Sequence, residues 1–278
     1  MGATAILGAG LRIWSRNWFP WFVVTIVMTG VISVIISAVD PWTGTYGIRY
    51  WFGDGPFVQP DPTPLAVVLS LGLAFVAGPW EIVLLTRSAL RATIGEPATG
   101  RSLIGRTIRG VHSLLWIFVL LGIALIPIVI LVAAIGEAAG SDAGKGIAVF
   151  IPLAFLLFVL PRLATLTHVF VGDDARGTRA IAGAWRLSRS AWGTSSGTIL
   201  LVLLIAIVIS IVPSLIVGQA FSSPVVGDAI ARAIIQALLN AILTPMGTAV
   251  ITALYLELHA RKGTLDQQAL RTNLARFD

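Results

Sequence analysis

Long, nearly uncharged apolar runs of about 20 residues dictate what this chain can become. Crossing about 30 Å of hydrocarbon at a rise of about 1.5 Å per residue takes a run of that length. Such runs are read at Trp18–Val39, Leu65–Leu85, Leu114–Ile135, Gly146–Phe170, Ile199–Val217 and Ala229–Leu258. In a bilayer every backbone polar group must be satisfied within the chain, so runs of this kind are helices. The fold class expected is therefore an all-α membrane protein with six transmembrane helices. The 278 residues are 56% hydrophobic and 12% charged, with a mean hydropathy of +0.91. That is too little polar surface to cover a water-soluble core. The first run follows Arg12 and Arg16 like a secretory signal, but it is about 20 residues long and lacks a small-residue cleavage site, so it is read as an uncleaved span.

Placement of the arginines orients the chain. Arg12 and Arg16 precede span 1. Arg87, Arg91, Arg101, Arg106 and Arg109 fall between spans 2 and 3. Arg176, Arg179, Arg186 and Arg189 fall between spans 4 and 5, and Arg261, Lys262, Arg271 and Arg276 follow span 6. The other side has Arg49, Lys145 and Arg232. By the positive-inside rule both termini are cytoplasmic. The net charge of +6 then needs no nucleic acid to explain it, because the basic segments sit where anionic headgroups are. Arginine far outnumbers lysine, and Ala and Gly are abundant, a composition associated with GC-rich bacterial genomes. The location expected is a bacterial plasma membrane. No cysteine is present, so disulfides and thiolate metal sites are excluded.

Three cytoplasmic segments share one pattern. Leu7, Leu11, Trp14 and Trp18 have the spacing i, i+4, i+7, i+11. Ile104, Ile108, Val111 and Leu115 repeat it, as do Ile181, Trp185, Ser188 and Trp192. Each set makes one stripe of a helix, with arginines on other faces. A helix of this kind lies flat at the headgroup boundary, which makes Arg101, Arg106, Arg109, Arg179, Arg186 and Arg189 candidate headgroup contacts. Each leads into a pair of spans whose second member carries a proline: Pro79, Pro161 or Pro245. The single membrane domain, 1–278, thus reads as a threefold repeat of interfacial helix plus transmembrane hairpin. The copies cover about 1–95, 96–172 and 173–263, and 264–278 form a cytoplasmic tail. Gly95-Glu96 and Gly172-Asp173-Asp174 enter the second and third copies. Glycine there ends one helix, and the carboxylate is expected to cap the next.

Three stretches carry a family resemblance. The first is Glu81 to Leu115, with Leu85-Thr86-Arg87-Ser88-Ala89 and Gly95-Glu96-Pro97. The second is Val171-Gly172-Asp173-Asp174 through Ala180-Ile181-Ala182-Gly183-Ala184-Trp185-Arg186-Leu187-Ser188-Arg189-Ser190. The third is Ala253-Leu254-Tyr255-Leu256-Glu257-Leu258-His259-Ala260-Arg261-Lys262-Gly263. Together they resemble the bacterial membrane proteins named for the glycerophosphoryl diester phosphodiesterase membrane domain, and their relatives. The chain departs from the family at Ala184, where a serine usually precedes the tryptophan, and at His259, which replaces a common arginine. The resemblance concerns the membrane part alone and implies no catalytic residues.

Charges at membrane depth are the default functional candidates. Glu81 follows Pro79 and Arg162 follows Pro161, both roughly 5–8 Å from the cytoplasmic boundary. They are expected either to pair between hairpins or to snorkel separately. Span 6 carries Arg232, Gln236 and Asn240 as one polar stripe, able to line a cavity or to bond another helix. Pro127, Pro152 and Pro213 add to the prolines at membrane depth, which suit transporters and plain packing alike. His112, His168 and His259 sit at cytoplasmic helix ends and are not read as a metal site; helix C-termini or headgroups account for His168 and His259. Gly140 to Gly146 has the wrong spacing for a phosphate loop. Trp42, Tyr46, Tyr50, Trp51, Phe52 and Phe57 crowd the loop between spans 1 and 2, as an interfacial belt or a docking surface.

The function expected is that of a non-enzymatic membrane protein with no cofactor. It would organise lipid, contacting anionic headgroups, or support a membrane protein partner. The alternative is a small permease with a polar cavity among spans 2, 4 and 6.

Overall fold

Leucine, isoleucine, valine and alanine runs without interior charge favour helix in a bilayer, and helix is what the described ones form. The computed structural model describes residues 1–40, 64–72, 76–96, 115–117, 158–220 and 226–275. Eight helices carry the argument: α1 (Ala3–Val39), α2 (Pro64–Gly72), α3 (Gly78–Thr93), α4 (Phe158–Gly172), α5 (Thr178–Arg189), α6 (Trp192–Ala220), α7 (Val226–Arg261) and α8 (Gln267–Ala275). No strand occurs among the described residues. Helix α1, residues Trp192–Ser210 of α6, and α7 are long and apolar enough to cross a membrane. Their lipid-facing stripes are explicit: Val23, Val27, Val31 and Ile35 on α1, Leu200, Leu204 and Ile207 on α6, and Ile234, Leu238 and Ile242 on α7 are all exposed. Exposed aliphatic rows of this extent suit hydrocarbon and not water. The chain is a membrane protein.

Helix α7 packs most extensively on α1. Small residues let the backbones approach. Ala229, Ala233, Ala237 and Ala241 form a buried stripe on α7. A Cβ on Gly10 would lie 2.4 Å from Val250 Cα, and one on Gly30 would lie 3.3 Å from Ala237 Cβ. The core gathers at one end of the bundle, where Ile6, Leu90, Phe170, Leu254, Leu258 and Leu274 pack together. The chain's first residue is tied in there. Its amine pairs with Glu257, and Arg261 donates to the Met1 carbonyl and to Thr194 Oγ1 (3.2 Å). Exposed Arg12, Arg179, Arg186, Arg189, Arg261, Lys262 and Arg271 are carried by α1, α5, α7, α8 and the turn after α7. This is the basic end.

Several expectations change. No separate interfacial helix precedes span 1: α1 runs unbroken for 37 residues, because Pro20 and a π-helical turn at Ile26–Gly30 are absorbed within it. The Thr29 and Ser33 hydroxyls bond back to the Thr25 and Thr29 carbonyls (3.0 and 2.8 Å), which stabilises the widened turn. The third segment does form its own helix, α5, on which Ala180, Ala184, Leu187 and Ser188 are buried; of the expected stripe only Ser188 is buried, and Trp192 belongs to the next helix. On α1 the inward residues are likewise Ile6 and Gly10, and Trp18 and Trp192 are exposed (50% and 43%). Helix α3 continues past Leu85 to Thr93, so Arg87 and Arg91 are buried helical residues rather than loop residues. Span 3 apart from 115–117, the first part of span 4, the second interfacial segment with Arg101, Arg106, Arg109 and His112, the aromatic loop and the 140–146 segment lie outside the described residues.

Candidate functional site

A cleft opens between α1 and α7 at membrane depth, on the side away from the basic end. Ile26, Val31, Val34 and Ile35 form one wall, and Ile234 and Leu238 the other. Gly30 and Ala237, where the helices touch, close its back. Its volume is about 310 Å³ and its lining is almost wholly aliphatic. No group there can hold an ion or orient a polar substrate. Its chemistry suits a hydrocarbon chain.

The intramembrane charges do not meet. Glu81 is buried on α3, with the Thr25 and Thr29 hydroxyls of α1 beside its carboxyl. Its Oε1 has no hydrogen-bond partner. Arg162 instead places its guanidinium 4.4 Å from the ring centres of both Phe158 and Trp185. The expected ion pair between these two is therefore absent, and neither side chain snorkels freely. Aromatic faces lie against the arginine, which desolvates more readily than a lysine would, and its buried Nε has no hydrogen-bond partner among the described residues. Ser188 Oγ donates to the Arg162 carbonyl (3.1 Å) and fixes α5 on α4.

The polar stripe of α7 behaves differently from either expected reading. Gln236 Nε2 donates to Asn240 Oδ1 (3.2 Å) within the same helix, and both side chains are exposed. They do not line the aliphatic cleft, and they bond no other helix among the described residues. Arg232 is half-buried one turn earlier.

A second polar cluster lies at the basic end. Gly172 ends α4, and the chain turns there through Asp174 (φ 49°) and Gly177 (φ 55°). Asp173 does not cap α5, whose N-cap is Gly177 without a side-chain bond. Its carboxylate accepts the Tyr255 hydroxyl (2.5 Å), and His259 Nε2 lies 3.5 Å from its other oxygen. His259 Nδ1 meets Thr264 Oγ1 at 2.9 Å. Asn273 of α8 donates to the Gly172 carbonyl (2.8 Å). These groups surround a pocket of about 60 Å³, enough for little more than water. His168 is fully buried nearby, with Nε2 2.8 Å from Thr252 Oγ1 and Nδ1 3.3 Å from Thr167 Oγ1. His168 and His259 thus have separate partners, and no metal-holding group occurs among the described residues. Glu96 likewise pairs with Arg91 (3.8 Å).

Of the candidate headgroup arginines that are described, Arg179, Arg186 and Arg189 are all exposed on α5. Sequence reasoning passed over the Asp173–Tyr255–His259 cluster as a functional unit. The available signal was that two of the three stretches carrying the family resemblance hold these residues, and the fold brings them together. Comparison with protein-family models, with curated proteins and with solved structures finds no significant match to this chain.

Proposed function

We propose that this protein is a non-enzymatic, lipid-organising component of a bacterial plasma membrane. In this reading it crosses the bilayer six times with both ends cytoplasmic. The aliphatic cleft between α1 and α7 receives an acyl chain, and the basic end engages anionic headgroups. The observation that carries the reading is the cleft itself, about 310 Å³ of apolar space at membrane depth. A permease would need a polar cavity lined by Gln236 and Asn240; these bond each other, and neither lines the cleft. The threefold repeat draws support from matching inward faces: Ile6 and Gly10 on α1 correspond to Ala180 and Ala184 on α5.

The test fills the cleft. Native mass spectrometry of the protein released from nanodiscs is expected to show retained phospholipid. Val34→Trp should remove about one bound lipid per chain while leaving the contacts of the basic end intact. Equal lipid retention by the wild type and Val34→Trp would refute the acyl-chain role.

A further inference from the structure

Gln236 and Asn240 stand about 15 and 21 Å along α7 from its first residue, at 1.5 Å per residue, well inside a hydrocarbon layer. Each carboxamide offers two N–H donors and two acceptor lone pairs. Their mutual bond uses one of each. The remaining donors and acceptors are equal in number, exposed, and bonded to nothing else among the described residues. Water is not there to satisfy them, so a polar partner within the bilayer is favoured.

The chain's own remaining apolar runs offer no such side chain. Residues 118–135 and 146–157 contain only Phe, Leu, Ile, Val, Ala, Gly and Pro. A second copy offers the complementary chemistry. Because each carboxamide both donates and accepts, one Gln236–Asn240 pair satisfies another across a two-fold axis along the membrane normal, Gln236 meeting Gln236 and Asn240 meeting Asn240 at the same depth. Two copies inserted with the same orientation bring α7 helices together in parallel, as that axis requires. The seam continues at Leu243, seven residues beyond Gln236 and half-buried. It closes at Gly247, which faces Val202 of α6 within the same chain. The contact is thus confined to the half of α7 away from the basic end, and it lies on the face opposite Ile234 and the lipid cleft.

We propose that this face is the interface of a homodimer, held at membrane depth by a four-carboxamide cluster. The absence of cysteine makes the test direct, because a single introduced thiol reports its own contacts. Leu243→Cys and, separately, Ile234→Cys are oxidised in native membranes. Leu243→Cys is expected to give a covalent dimer and Ile234→Cys to give none. Adding Gln236→Leu and Asn240→Leu to Leu243→Cys should weaken dimerisation about tenfold, about 1.4 kcal/mol, whereas adding Asn240→Gln should preserve it. The mass of the assembly formed by the cysteine-free double-leucine variant in nanodiscs gives an independent readout, expected to shift toward monomer. Equal cross-linking at 234 and 243, cross-linking to a different protein, dimerisation undiminished by the double-leucine change, or a wild type that is monomeric in native membranes would each overturn the proposal.

Discussion

Tyr255 reaches Asp173 only because residue 172 has no side chain. A Cβ there would lie 2.5 Å from the tyrosine hydroxyl, and a stiff aromatic ring has little room to yield. Tyr255→Phe removes a hydrogen bond to a carboxylate and is expected to cost about 2 kcal/mol. Gly172→Ala should cost a similar amount in the wild type, but much less in the Tyr255→Phe background, since both changes break the same contact. Denaturation of the four proteins in detergent measures that coupling, and strictly additive costs would count against it. Asp173 also shows what a sequence conceals. Beside Gly172 and before a helix it reads as a cap, a local role. Its actual partner lies 82 positions away, and no spacing rule reaches that far. Arg162 was legible as a residue needing compensation at membrane depth. That two aromatic rings would supply it, rather than Glu81, depended on which helix came to lie beside it.

At the scale of the helix, hydropathy located the apolar stretches of α1, α6 and α7, and the structure extends each of them. The π turn in α1 was not legible, because it rests on two threonine or serine hydroxyls bonding back along the helix and on contact with α7. It has a geometric consequence. Inserting one alanine between Gly30 and Val31 adds a residue that the turn cannot also absorb, and should rotate Val31–Val39 by about 100° relative to α7. Val31, Val34 and Ile35 would then leave the cleft wall, while Gly10 keeps its place on Val250. Loss of retained lipid with preserved expression is expected. Unchanged lipid retention would show that the register set by the turn does not shape the cleft. The face of α5 makes a related point. Arginines and tryptophans mark two of its sides, but the inward side belongs to Ala180 and Ala184, whose small size matters only against a close neighbour. Helical periodicity finds stripes and leaves open which stripe meets protein.

For the molecule as a whole, the distribution of exposed arginines sets the orientation to be tested. Leu265 is exposed after α7 at the basic end, and Gly227 is exposed near the start of α7. In the cysteine-free chain, Gly227→Cys should react with a membrane-impermeant maleimide in intact cells. Leu265→Cys should react only after the membrane is opened, as cytoplasmic ends require. The reverse pattern would invert the proposed topology. The membrane class was legible because it depends on composition and run length. The association of α1 with α7 was not, since it rests on Gly10 and Gly30 meeting Val250 and Ala237, matches of shape with no signature in either helix alone.

That association also bears on how the protein is made. Arg261 holds the Met1 carbonyl from 260 positions away, and the main packing surface of α1 belongs to a helix translated long after it. A ribosome therefore delivers α1 to the bilayer without its principal neighbour. Until α7 arrives, Gly10 and the bulged turn face lipid, and Glu81 comes to an unfinished pocket. Contacts of such long range close slowly. During that interval the nascent chain is the form most exposed to membrane proteases and most in need of an insertase or chaperone, and a premature stop anywhere before α7 would leave it in that state permanently.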